Sequence, residues 1–261
     1  MDWYYSGARP YDSEIGRFVC VDPRAGLYPS LSPYSYCANN PLVLIDPTGE
    51  VIQIAAGGDT VNYSVGMEYD GDNKQIAQLI STLNSVGGVE IGNTVLSRLI
   101  KSKGIYNVAF GGLSNSDAGG QFIGNRNNLG GSLALDSRVL SNVGKIAHEV
   151  FHGYQHDVRA GGASIFSEVE AYLFGAGVAL STGEMTMGFG NNTQTGQIYE
   201  NMMSKVLYAP GFFGVNAHFY SAVSTFKQGS FVNNVGIYNN FNLRSPNNRL
   251  LINKFYPLVR F

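Results

Sequence analysis

Three of the four histidines in this 261-residue chain fall within nine residues of one another. They lie in the run Lys145-Ile146-Ala147-His148-Glu149-Val150-Phe151-His152-Gly153-Tyr154-Gln155-His156. Ile146, Ala147, Val150 and Phe151 recur at helical spacing, so the run reads as a helix buried along an apolar face. On a helix, positions i and i+4 share a face. His148 and His152 therefore aim both imidazoles at one point. Glu149 stands about 100° round the helix, at the edge of that face. Whatever this chain folds into must place an ionisable cluster inside a core.

Composition removes several classes of function. Charged residues are 14% and hydrophobic residues 44%, which is a folding composition and not a disordered one. The net charge of −2 provides no basic stripe for nucleic acid or an anionic membrane. No apolar run reaches the ~18 residues of a membrane span; Ala171 to Leu180 is the best candidate and holds two glycines. The start, Met-Asp-Trp-Tyr-Tyr, has neither the basic nor the apolar region of a signal peptide. Cys20 and Cys37 are too few for a disulfide scaffold and read as a reduced pair.

The pattern His148-Glu149-x-x-His152 is H-E-x-x-H, the zincin arrangement of two histidines on Zn²⁺ with the glutamate as general base. Four His and nine Glu in 261 residues give about 0.002 chance occurrences of it. Zinc needs a third protein ligand and an open position. His156 is excluded, because eight residues of helix carry it ~12 Å along the axis from His148. The longer H-E-x-x-H-x-x-G-x-x-H spacing also fails, since Gln155 and Val158 stand where it needs Gly and His. Acids in Ser167-Glu168-Val169-Glu170-Ala171-Tyr172 are better placed, because Arg159 to Ala163 can turn a second helix back across the first. Glu168 shares a face with Ala171 and Tyr172, and Glu170 points elsewhere. Glu168 is the first choice of third ligand and Glu170 the runner-up. The E-x-x-A pattern, sixteen residues after His152, resembles the ligand helix of the gluzincins. Tyr154, His156, Tyr172, His218 and Tyr220 are possible donors to a developing oxyanion, but His218 reads as a packed or surface residue and is not placed in the site.

Residues 1–50 differ in texture. They hold six of the nine prolines and repeated turn signals, so short strands are expected at Trp3–Tyr5, Arg17–Val21 and Leu42–Ile45. Gly7-Ala8-Arg9-Pro10-Tyr11-Asp12-Ser13-Glu14-Ile15-Gly16-Arg17-Phe18, Asp22-Pro23, Ser32-Pro33-Tyr34-Ser35-Tyr36-Cys37-Ala38-Asn39-Asn40-Pro41 and Ile45-Asp46-Pro47-Thr48-Gly49 resemble the RHS repeat-associated core domain. The resemblance implies a boundary near Gly49-Glu50, with a variable toxin domain beyond it. It also maps the self-cleavage residues of some members onto Arg9, Asp22 and Asp46; the plainer reading makes the two aspartates turn initiators before proline. A strand, then His148-Glu149-x-x-His152-x-Tyr154-Gln155-x-Asp157, then Glu168-x-Glu170-Ala171-Tyr172, within residues 75–185, resemble the metallopeptidase-type toxin domains attached to such cores.

Beyond residue 50, strands are expected at Val51–Ala55, Val61–Glu68, Ile105–Phe110 and Ser132–Asp136, with a Gly/Asn-rich loop at Asn115–Gly131. Helices are expected at Asn73–Leu83, Asn93–Lys101, from a Ser141 cap through the histidines, at Glu168–Leu180, at Gln197–Leu207 and at His218–Phe226. The Ser132–Asp136 strand is expected to offer an edge to an extended substrate. The expectation is an α+β, zincin-like metallopeptidase domain over 51–261 behind a β-rich RHS-core remnant over 1–50. Its expected cofactor is Zn²⁺ and its expected substrate a protein or peptide. Cell-wall amide hydrolysis and a non-catalytic metal-binding or adaptor role are the alternatives. The resemblance further implies a bacterial cytoplasmic origin, export by a dedicated secretion system within a larger RHS protein, and a cognate immunity protein. No nucleic acid and no membrane span are expected.

Overall fold

The computed structural model describes residues 3–6, 9–12, 14–21, 32–34, 52–113, 119–126, 128–158, 164–184, 201, 205, 213–229 and 251. The chain divides into two compact units, Met1–Val51 and Ile52–Phe261.

In the first unit, β1 (Trp3–Ser6), β2 (Arg9–Asp12) and β3 (Arg17–Phe18) form an antiparallel sheet in that order. Asp12 builds the turn after β2: its Oδ1 accepts from the Glu14 amide at 2.9 Å. Its carbonyl accepts from Gly16 N–H at 2.9 Å. That is the turn chemistry expected of an Asp-Ser-Glu-Ile-Gly run. Arg9 pairs with Ser6 across the β1–β2 ladder. Asp22, Asp46, Cys37 and the strand expected at Leu42–Ile45 lie outside the described residues.

The second unit is α+β. Its five-stranded sheet contains β4 (Ile52–Ala56), β5 (Asp59–Asn62), β6 (Tyr106–Phe110), β7 (Gly120–Gly124) and β8 (Gly131–Leu135), in the order β5-β4-β6-β8-β7. The central β4, β6 and β8 run parallel, and β5 and β7 flank them antiparallel. A two-residue turn, Gly57-Gly58, joins β4 to β5 with φ of 58° and 95°. Hairpin loops this short need positive φ, which glycine adopts freely.

Three expectations are corrected here. The residues read as one loop, Asn115–Gly131, contain strand β7. The Ser132–Asp136 strand, observed as β8, is not an edge, because β6 and β7 cover both its sides. Glycine at positions 119, 120 and 124 hid the strand, because glycine weakens the period-2 signal. The strand expected at Val61–Glu68 is also short, pairing only as Asp59–Asn62.

Helices cover the sheet. α1 (Lys74–Gly87) buries Ile76, Leu79, Ile80, Leu83 and Val86. Its cap is Asn73, whose side chain accepts from the Gln75 and Ile76 amides at 3.1 and 3.3 Å. α2 (Glu90–Ile100) buries Ile91, Val95, Leu96 and Leu99. α3 (Val143–Asp157) packs on α1, α2, β7 and β8, and most extensively on α4 (Ile165–Ser181). α5 (Phe213–Gly229) packs on α4. The helix expected at Gln197–Leu207 lies almost wholly outside the described residues. No described helix is long and apolar enough to cross a membrane.

Candidate metal centre

α3 begins one residue later than the Ser141 signal suggests. Asn142 is the cap, accepting from the Lys145 amide at 2.8 Å. From there the helix is buried on nearly every side: Ile146, Ala147 and Phe151 are fully enclosed, and His148 and Glu149 are buried with them. α4 opens on Ser164, which accepts from the Phe166 amide at 3.1 Å. Phe174 of α4 stacks on Phe151 of α3 with ring centroids 4.5 Å apart. That antiparallel return carries the first turn of α4 to the histidine face of α3.

The result is a triangle of potential ligand atoms. His148 Nε2 and His152 Nε2 are 3.1 Å apart. Glu168 Oε1 lies 3.4 Å from the first, and its Oε2 lies 3.3 Å from the second. A tetrahedral zinc ion with bonds of about 2.05 Å sets its ligand atoms about 3.3 Å apart. The nearest separations are thus close to such edges, with each Glu168 oxygen facing one of the two histidines. Among the described residues, they form the one group of three or more such side chains able to hold a metal ion. The structure brings Glu168 into the group. Glu170 lies behind it and hydrogen-bonds Gln155 Nε2 at 3.2 Å.

Electrostatics inside the group follow from burial and proximity. Burial raises the Glu149 carboxyl above its usual range; His148 and His152 oppose that rise and Glu168 adds to it. Burial would lower His152, but the Glu168 carboxylate outweighs it and carries the ring up to about 9. Burial likewise pushes Glu168 upward, and the two histidines reverse the shift and hold it well below the carboxylate range.

No family model, curated protein or solved structure matches the chain. The site must therefore be read from its own geometry.

The other sequence candidates fall outside the triangle. His156 Nε2 hydrogen-bonds the Asn128 carbonyl at 2.9 Å, and its ring packs on Phe122. Its exclusion on axial rise agrees with that placement. His218 is half-buried on α5 and is not in the group. Tyr154 is buried, and its ring stacks on Phe151. Tyr172 does reach the site, with its ring centroid 4.1 Å from that of His148. Tyr220 is exposed on α5.

Three contributors were given no role by the sequence reading. Gln155 accepts from His152 Nδ1 at 2.9 Å. It stands at i+3 from His152, a spacing that could have revealed it. Gly120 of β7 lies so close to Glu149 that a Cβ there would meet Cδ and Cγ at 2.7 Å. Only glycine lets the strand approach the carboxyl this closely. At the end of α3, buried Asp157 accepts from Arg98 Nε at 2.6 Å, from Tyr106 Oη at 2.9 Å and from Ser102 Oγ. This last cluster ties α3 to α2 and β6.

Proposed function

We propose that the second unit is a zinc-dependent peptide hydrolase, the toxin domain of an RHS-type polymorphic toxin. One observation carries the enzymatic reading: two imidazole Nε2 atoms and a carboxylate converge, with nearest separations of 3.1 to 3.4 Å, beside a buried Glu149. His148, His152 and Glu168 would hold the ion. Zinc, when bound, supplies Lewis acidity toward a carbonyl oxygen and toward water.

The chain's own residues supply the rest. Glu149 lies next to a ligand in sequence and at the edge of the ligand face. Its raised affinity for a proton suits a base that takes a proton from the attacking water and delivers it to the leaving nitrogen. Burial of the group excludes bulk water and strengthens each of these interactions. β7 ends the sheet, so one of its sides is unpaired among the described strands. An extended peptide can add there as a further strand, its backbone hydrogen bonds supplying affinity. Gly120 brings that strand against Glu149, which favours a peptide over a cell-wall amide.

The toxin context rests on the sequence resemblance over residues 3–50 and 75–185. It carries with it a protein substrate in a target cell, an immunity protein, and export within a longer RHS protein.

Metal content is the direct test. Purified wild type should carry one zinc per chain by elemental analysis, and His148→Ala and His152→Ala should carry none. Glu149→Gln should keep the zinc and lose hydrolysis of an unstructured protein such as casein. Cleavage of peptidoglycan fragments in place of casein would move the substrate to cell-wall amides. Zinc held by four protein ligands with no hydrolysis would make the site structural.

A further inference from the structure

His152 can present a lone pair at Nε2 only if its other nitrogen holds the proton. Two residues outside the ligand triangle fix that choice. Gln155 and Glu170 are buried to 1% and 2% exposure. Gln155 Nε2 donates to the Ser167 carbonyl at 2.9 Å and to Glu170 Oε2 at 3.2 Å. A carbonyl and a carboxylate only accept, so the NH₂ end of the amide must face them. Gln155 Oε1 is then turned to His152 Nδ1, 2.9 Å away. An amide oxygen also only accepts, so Nδ1 donates. In the neutral ring Nε2 is then left bare, 3.1 Å from His148 Nε2 and 3.3 Å from Glu168 Oε2. With the amide reversed, Nδ1 would accept and Nε2 would carry a proton into the site.

We propose that Glu170 and Gln155 are positioning residues, a relay that selects the one His152 tautomer able to bind a metal. The proposal rests on the metal reading above. It gives Glu170 a role one hydrogen bond outside the ligand sphere, on the same helix as the ligand Glu168. The relay serves His152 alone. His148 Nδ1 has no hydrogen-bond partner among the described residues, and its ring is packed by Tyr172. Outer partners of metal-bound histidines typically contribute ~10–100-fold in affinity.

The test is Zn²⁺ affinity of the full chain, measured by competition with a chromogenic chelator. Circular dichroism in excess chelator checks that each metal-free variant is folded. Gln155→Met keeps the side-chain length and removes the acceptor, and should weaken binding about 10–100-fold. Glu170→Gln, which lets the Gln155 amide reverse, should weaken it less. Gln155→Glu sets two carboxylates together and should bind poorly. The double variant Gln155→Glu/Glu170→Gln restores an acceptor for Nδ1 and a donor behind it, and should return to within about tenfold of wild type. If Gln155→Met does not fold, this rescue decides: a double variant no better than Gln155→Glu overturns the relay. Unchanged affinity in both Gln155→Met and Glu170→Gln, beside tight binding by wild type, overturns the relay and leaves the metal centre standing. A wild type that binds no zinc overturns the metal centre, and the relay falls with it.

Discussion

His152 and Asp157 stand five residues apart on α3, and each is the hub of a polar cluster. Around Asp157 the accounting closes: Arg98, Ser102 and Tyr106 all donate, and the carboxylate accepts. Around His152 it does not. Two imidazole Nε2 atoms and the Glu168 carboxylate face one another at 3.1 to 3.4 Å. When the two rings are neutral and turn their lone pairs inward, only a cation reconciles them with the carboxylate. A structural cluster matches donors with acceptors, because an unmatched buried group costs ~1–3 kcal/mol. A metal site gathers acceptors and leaves the positive charge to come from outside. The same helix carries one closed cluster and one that a metal ion could complete.

The largest expected effect breaks the second cluster. Glu168→Ala removes one corner of the triangle, and Zn²⁺ affinity should fall well beyond the ~10–100-fold typical of outer partners. Glu170→Ala should stay within that range. Chelator competition on the two variants compares them. A larger loss for Glu170→Ala would transfer the ligand role to Glu170.

Gly120→Ala tests the proposed base, Glu149, without touching a proposed ligand. The new methyl would sit 2.7 Å from Glu149 Cδ, so the carboxyl or the strand must move. A displacement of about 1 Å at a reacting group can cost ~10²-fold in rate. The expected result is casein hydrolysis reduced by up to that factor at unchanged zinc content. Full activity would show that Glu149 has room to spare.

Much of this site was legible in the sequence, because helical spacing alone fixes which residues share a face. The pair His148 and His152, the exclusion of His156 and the preference for Glu168 over Glu170 all follow from turns of 3.6 residues. What spacing does not carry is long-range pairing. β7 lies in a segment whose glycines erased its alternation, so the edge strand was assigned to Ser132–Asp136 and its approach to Glu149 went unseen. The Asp157 cluster joins residues 51 to 59 positions apart, and no local pattern announces it. Gln155 entered as a position that failed a longer histidine motif and as part of the run resembling toxin domains, without a role, although its i+3 relation to His152 was available.

Breaking the first cluster should leave the second alone. Asp157→Ala strips the buried Tyr106 hydroxyl of its acceptor, which costs ~1–3 kcal/mol. Arg98 adds little to that cost, because its side chain is 53% exposed and rehydrates once the ion pair is gone. Chemical denaturation of the chelated protein should show the loss, while zinc affinity stays at the wild-type value. A parallel fall in affinity would mean that the anchor of α3 also sets the ligand geometry, and the two clusters would be one system.

The smallest effect lies between the two hubs and has the opposite sign. Gly153 follows His152 directly and sits mid-helix, where glycine is less favourable than alanine by ~0.8–1.0 kcal/mol. A Cβ at this position would meet Leu99 Cδ1 at 3.4 Å, and Phe122 Cε2 and Tyr106 Cδ1 at 3.7 Å. Those are ordinary contacts. The position also lines an apolar cavity of about 30 Å³, bordered by Leu99, Tyr106, Phe122 and Glu149, so the added methyl has somewhere to go. Gly153→Ala should therefore raise stability by about 1 kcal/mol. In a domain of this size that is a Tm increase of ~2–4 °C. Zinc affinity should not change, because the substitution turns no ligand and adds no donor. A destabilised variant would mean that the helix cannot stiffen at residue 153 without disturbing its packing on α2 and β7. A stabilised variant with weakened zinc binding would show that the glycine gives the His152 turn a freedom the ligand geometry needs.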